Sequence, residues 1–344
     1  MTTTTTSETG GPAGSLARSL GLTDEDLVAM YRRLALARAI DERMWVLNRA
    51  GRVPFVISGQ GHEGAQVGIV SNLRPAFDWL VPFYRSVAGV LTFGMSAREI
   101  MLAQYAKAPD PSSGGRQMPG HYGSAAHNIL STSSPVATQL LHAVGIGLAA
   151  RIRRTGQVVV TALGEGASNQ GDFHEGLNFA GLHHLPVVTV IENNGWAISV
   201  PAAKQAPIVD FAERAAGYGM PGVVVDGADV IGCWRVGHEA VERARRGEGP
   251  TLIEAKVTRL TAHSSDDQQT KYRTAEELER ERLRDPLPCF REQLLEASVL
   301  TPEGVAAIAT EIAAEVNDAT EWAEQQPDPT VASATWYVYA EDRP

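Results

Sequence analysis

Within the 344 residues, two β-branched apolar runs separated by one helix's length of chain constrain the fold more than any other feature. Residues 157–163 form the first run, residues 172–184 read as helical, and residues 186–191 form the second run. The same rhythm continues, with helical patterns at 209–218 and 230–246 and strand patterns at 222–225 and 251–260. Strand, helix, strand at this spacing requires right-handed crossovers, which predicts an α/β chain with a parallel sheet and helices on both faces.

The flanking parts read differently. Residues 24–48 have the apolar spacing of a long amphipathic helix, with Thr23 as N-cap and Gly51 just past the end. A glycine-rich turn at 58–61 leads into a helix over 62–72, and residues 78–84 read as a short buried strand. Helical patterns follow around Val87 and over 96–107, and a small-residue helix covers 136–153. Between them, residues 109–134 are polar, glycine-rich and without periodicity, which marks a functional loop. From Thr274 onward the chain is charged and helical, ending in the aromatic tail Trp336-Tyr337-Val338-Tyr339. The expected organisation is a disordered tail at 1–22, one binding domain at 23–290, and a helical extension with tail at 291–344.

Composition narrows the functional classes. An apolar fraction of 44% supports a sizeable core, and a net charge of −10 without a long basic run argues against nucleic acid as partner. Cys233 and Cys289 have neither metal-ligand spacing nor a disulfide framework, which suits a cytoplasmic protein. The first residues lack the basic and apolar regions of a secretion signal, and no run reaches the roughly 18 apolar residues of a membrane span.

In an open parallel sheet, ligands bind beyond the carboxyl ends of the strands. The first run ends in Gly164-Glu165-Gly166 and the second in Glu192-Asn193-Asn194-Gly195. If the two strands are neighbours, roughly 4.8 Å apart, Glu165 and Asn194 face one pocket. A carboxylate, an amide and a backbone carbonyl offer three hard oxygens to an octahedral Mg²⁺, leaving positions for phosphate and water. Taken separately, each segment is equally well explained as a tight turn. A dinucleotide fingerprint fails, because Asn169 stands where the third glycine belongs.

These residues resemble a known family. Gly164-Glu165-Gly166 through Asn194 looks like the thiamine diphosphate motif. Residues 115–123 (Gly-Arg-Gln-Met-Pro-Gly-His-Tyr-Gly), 133–139 (Ser-Ser-Pro-Val-Ala-Thr-Gln) and 263–267 (His-Ser-Ser-Asp-Asp) resemble the alpha chain of the decarboxylase component of branched-chain 2-oxo acid dehydrogenase. The likeness runs from about Leu27 to Phe290, and Glu165 stands where many thiamine enzymes carry Asp.

The resemblance implies a thiamine diphosphate-binding fold with helical extensions at both ends. It implies Mg²⁺ on Glu165, Asn194 and the carbonyl of Trp196. Cofactor contacts fall to Tyr84, Arg85, Ser134, Val136, Gly164, Gly166, Ala167, Ala197, Arg259 and His263. His263 is also the catalytic candidate, since imidazole titrates near neutral pH. Phe55, Ser58 and Phe83 would line the acyl pocket, and Ser133, Pro135, Thr138 and Gln139 would hold a monovalent cation such as K⁺. The implied reaction is oxidative decarboxylation with acyl transfer to a lipoyl acyltransferase. A beta subunit would complete the active site in a heterotetramer of two alpha and two beta chains. A pyruvate or acetoin dehydrogenase alpha chain, a nucleotide-dependent oxidoreductase and a non-catalytic paralogue are the alternatives.

Overall fold

The computed structural model describes residues 13–132 and 134–339. Its centre is a five-stranded, all-parallel sheet in the order β1-β2-β3-β7-β6. In chain order, the helices and strands up to the second crossover are α1 (Ala13–Ser19), α2 (Asp24–Arg49), α3 (Glu63–Val70), β1 (Trp79–Val81), α4 (Val87–Phe93), α5 (Ala97–Gln104), α6 (Thr138–Arg153), β2 (Val159–Gly164), α7 (Gly171–Leu182) and β3 (Val187–Asn193). A small hairpin, β4 (Trp196–Ala197) and β5 (Val200–Pro201), precedes β6 (Gly222–Asp226), α8 (Val230–Arg245) and β7 (Thr251–Lys256). Three helices close the chain: α9 (Ala275–Arg282), α10 (Pro286–Glu296) and α11 (Pro302–Glu324).

The two runs first noticed in the sequence are indeed neighbours. β2 and β3 pair in parallel with Gly164 opposite Glu192, so both glycine-flanked polar turns leave the sheet at the same end. Alternation along each strand explains why both faces are covered. Val158, Val160, Val188 and Val190 join the core beneath α2, α3, α5, α8 and α11. Val159, Leu163, Val187 and Ile191 join a second core beneath α6 and α7.

Capping fixes where helices begin. Thr23 accepts from the Asp26 amide while Asp26 reaches back to the Thr23 amide, and Ser96 with Glu99 repeats this box at the start of α5. At α10 and α11 an aspartate or threonine cap is followed at once by proline, a residue suited to the first helical turn. The segment 209–218, which the sequence suggests is α-helical, forms 3₁₀ turns over Phe211–Tyr218.

The expected domain limits need correction. The tail expected at 1–22 contains α1, whose Ala17 is buried together with Leu22; residues 1–12 lie outside the described residues. At the other end, α10 crosses the expected boundary at 290. α11 is no appendage: Ile312, Val316, Ala319 and Ala323 belong to the same core as Leu34 and Ile40 of α2. Arg32 bonds Glu311 and Glu315, and Arg43 bonds Asn317 and Thr320. Among the described residues no helix is long and apolar enough to cross a membrane.

Candidate active site

A cavity of about 440 Å³ opens beyond the carboxyl ends of β2 and β3. Its floor comes from the turn after β2, which supplies Gly164, Glu165, Gly166 and Ala167, and from the turn after β3, which supplies Asn194, Trp196 and Ala197. The two turns touch closely: a Cβ on Gly166 would stand 2.6 Å from the Cβ of Ala197, so the glycine is required by packing. Gly164 has open space where a side chain would project, which leaves its backbone approachable.

Glu165 is 1% exposed. Burial raises its pKa above the ordinary carboxylate value, against the opposing effect of neutral donors: its own amide, the Gln205 amide group at 3.3 Å and the Asn194 amide. A buried carboxylate facing neutral donors is suited to a cation brought in from solution. Among the described residues no cluster of three His, Cys, Asp or Glu side chains converges. A metal here would draw on one carboxylate plus amide and carbonyl oxygens, a donor set that suits Mg²⁺.

Positive charge lies beside the cavity, from Arg85 in its lining and Arg259 behind it. Arg85 and Arg259 are 2% and 1% exposed, yet each spends its guanidinium on neutral or ring acceptors. Arg85 Nη1 donates to the Ser58 carbonyl at 2.6 Å, and its Nη2 lies 2.8 Å from His263 Nδ1 and 3.0 Å from the His263 carbonyl. Arg259 donates to the Ile198 carbonyl and the Tyr272 hydroxyl, and its Nε has no hydrogen-bond partner. Burial first, then repulsion from Arg85, lowers the pKa of Arg259. Two buried cations without a carboxylate on either fit an anionic group such as a diphosphate.

A guanidinium can only donate, so His263 Nδ1 is the acceptor and the ring proton sits on Nε2. Burial, Arg85 and Arg259 together lower the His263 pKa from 6.5 to about 4. This corrects the expectation of a group titrating near neutrality: His263 is neutral there. Because the folded chain resists its protonation and the unfolded chain does not, stability should decline as pH falls from about 6.5 towards about 4. Denaturation midpoints of the parent and His263→Asn across that range test this; parallel curves would refute it.

Most residues singled out from sequence meet at this cavity: Phe55, Phe83, Tyr84, Arg85, Ser134, Val136 and His263 join the two turns. Ser58 does not. It is 1% exposed, and its hydroxyl donates to Asp41 Oδ1 at 2.8 Å behind the wall. Arg259 lies outside the lining, one layer back. Pro135 and Gln139 border an adjoining void of about 10 Å³, room for a single water-sized occupant. Thr138 donates to Asp172 at 2.8 Å, and Gln139 to the Ala162 carbonyl at 3.0 Å. Ser133 lies outside the described residues.

Sequence reasoning assigned no role to several lining residues: Ile57, Met118, His121, Gln170 and Ile198. His121 comes from the aperiodic loop flagged above and is held by the Met118 carbonyl and the Ser134 hydroxyl. The loop's glycine content and length, and the family resemblance of residues 115–123, singled out the loop but gave neither Met118 nor His121 a role. Gly61 has φ +93°, and a Cβ there would lie 2.3 Å from the Thr258 carbonyl oxygen. That contact brings the 58–61 turn against the strand exit carrying Arg259, which sequence spacing does not reveal.

Residues 31–332 match the family model described as dehydrogenase E1 component. The chain is 52% identical over 323 residues to the 2-oxoisovalerate dehydrogenase subunit alpha of Bacillus subtilis, covering 94% of this chain and 98% of the relative. It is 37% identical over 338 residues to the 3-methyl-2-oxobutanoate dehydrogenase subunit alpha of Mycobacterium tuberculosis, covering 97% and 88%. The alpha subunit of the pyruvate dehydrogenase E1 component of Staphylococcus aureus is 34% identical over 324 residues, covering 94% and 84%.

Proposed function

The chain belongs to the dehydrogenase E1 component family, and on that premise we propose that it is the alpha subunit of a branched-chain 2-oxo acid dehydrogenase. The observation that carries the substrate class is the 52% identity, across nearly the whole of both chains, to a relative named for 2-oxoisovalerate, against 34% to one named for pyruvate. Family membership removes the nucleotide-dependent oxidoreductase from consideration.

The cofactor of this reading is thiamine diphosphate, which when bound supplies a carbon nucleophile and electron sink for decarboxylation. Glu165, Asn194 and the Trp196 carbonyl would hold Mg²⁺, and Arg85 with Arg259 would neutralise the diphosphate. His263 would offer its Nε2–H as a hydrogen-bond donor at the cavity. Phe55, Phe83 and Met118 give the wall an apolar character that suits a branched aliphatic tail. The small void beside Pro135 and Gln139 would take a monovalent cation, K⁺ in this reading, that braces the loop.

Glu165 is the one carboxylate lining the cavity among the described residues, and this reading commits it to the metal. The carboxylate needed at the cofactor's other ring is assigned to a beta subunit, in an assembly of two alpha and two beta chains. Exposed Met118, Val136 and Ile198 at the cavity support such a cover. The acyl product passes to the lipoyl group of an acyltransferase partner, in a cytoplasmic setting where the free Cys233 and Cys289 stay reduced.

Co-expression with a candidate beta chain and an artificial electron acceptor tests the reading. The branched substrate 3-methyl-2-oxobutanoate should be favoured over pyruvate by about 10-fold or more in kcat/KM, the scale that methylene-sized differences give in an apolar pocket. The alpha chain alone should be inactive. Equal or faster turnover of pyruvate would refute the substrate assignment, and full activity of the isolated chain would refute the shared site.

A further inference from the structure

We propose that His62 and Glu192 are positioning residues: they fix which end of the Asn194 side-chain amide faces the cavity, presetting Asn194 Oδ1 as a cation ligand. The inference deepens the metal reading above and rests on it.

His62 occupies the N-cap position of α3 but makes no capping bond with its side chain. It is fully buried, and its ring instead bridges two residues at the end of β3. Nδ1 lies 2.7 Å from Glu192 Oε2, and Nε2 lies 3.2 Å from Asn194 Nδ2. A buried histidine with both nitrogens satisfied is often only a well-packed core residue. Here, however, the direction of every hydrogen bond in the chain can be settled from its far end.

The Gly89 amide donates to Gln66 Oε1 at 3.1 Å, so the other end of that side chain is its NH₂. This Nε2 donates to the Arg85 carbonyl and to Glu192 Oε2, at 3.0 and 2.9 Å. Glu192 Oε2 therefore acts as an acceptor, and His62 Nδ1 carries the hydrogen that meets it. In the neutral ring His62 Nε2 then offers a lone pair, and only the NH₂ end of Asn194 can satisfy it. Asn194 Oδ1 is turned the other way, where it accepts the Trp196 amide at 3.1 Å and retains a second lone pair. Flipping the amide would set oxygen against the Nε2 lone pair and NH₂ against the Trp196 N–H. The orientation is thus held from both ends before any cation arrives, as partners of ligating groups commonly do.

The test uses the full chain assembled with its beta subunit under saturating thiamine diphosphate, with Mn²⁺ as probe and free Mn²⁺ read by electron paramagnetic resonance. Glu165→Gln is the control and should abolish saturable binding. His62→Leu and Glu192→Met should each weaken Mn²⁺ affinity by about 10- to 100-fold, the range for loss of a partner behind a metal ligand. His62→Gln, which keeps one donor and one acceptor, should stay within a few-fold of the parent, as should Glu192→Gln, whose side-chain oxygen can still accept from His62 Nδ1. If Glu165→Gln abolishes binding while both His62→Leu and Glu192→Met bind as the parent does, the positioning role is refuted and the metal reading survives. Equal weakening by His62→Gln and His62→Leu refutes it too, because bulk rather than polarity would then matter. Unchanged binding in Glu165→Gln overturns the metal reading itself. Should His62→Leu fail to assemble, the contrast between Glu192→Met and Glu192→Gln decides: equal affinities refute the positioning role.

Discussion

Replacing Glu165 with glutamine should abolish cofactor-dependent turnover while making the metal-free chain more stable. The two effects share one cause. Glu165 is 1% exposed, and burial raises its pKa against weaker opposition from neutral donors. An ionised carboxylate in that position costs the metal-free fold free energy, and the amide removes the cost. A gain of roughly 1 kcal/mol is the scale seen when a functional site is relaxed in this way. The sign with pH follows: an acid whose folded pKa is raised binds protons more readily folded than unfolded, so metal-free stability should increase as pH falls through the raised pKa. Glu165→Gln should flatten that slope. Without the ion that would anchor its diphosphate, the cofactor would be held loosely and misplaced at the reacting centre, where an error of about 1 Å costs about a hundredfold, so turnover should fall by at least about that factor. Denaturant midpoints in chelator, together with steady-state turnover of the assembled enzyme, measure both. A variant less stable than its parent in chelator would contradict the electrostatic account, and near-normal turnover would contradict the ligand assignment.

Pyrophosphate with Mg²⁺, lacking any thiamine, should raise the melting temperature of the chain. The warrant is the uncompensated buried pair Arg85 and Arg259: burial and then repulsion from Arg85 lower the pKa of Arg259, and one nitrogen of Arg259 is left without a partner. An anion bound only by the folded state at a hundredfold its Kd stabilises by about 2.7 kcal/mol. Arg259→Met should lose most of this gain, because the anion then meets one cation instead of two. Differential scanning with and without the salt makes the comparison. Equal stabilisation of parent and variant would show that the anion binds elsewhere.

Much of the site was legible because it is built from short-range pattern. Two β-branched runs with a helix between them force adjacent parallel strands, and adjacency places Glu165 and Asn194 at one sheet end. The cap at Thr23 was equally local. What escaped depended on contacts between distant segments. Ser58 looked like a pocket residue until Asp41 proved to hold its hydroxyl. His263 looked like a neutral-pH titrator until two buried arginines were found beside it. Met118 and His121 arrive on a loop without periodicity, so no spacing rule could aim them at the cavity. The stretch at 13–22 looked structureless because α1 is only seven residues long with few large apolar side chains, and it packs on α8 and α10 far along the chain.

The clasp between α2 and α11 bears on how the molecule is made. α2 ends at Arg49, and the helix that covers it begins at Pro302 and runs to Glu324, downstream of every strand of the sheet. A ribosome that has already delivered the sheet and both polar turns has yet to release the partner of Leu34 and Ile40. The apolar face of α2 therefore waits uncovered while the sheet is made, and the larger core closes only after α11 has left the ribosome.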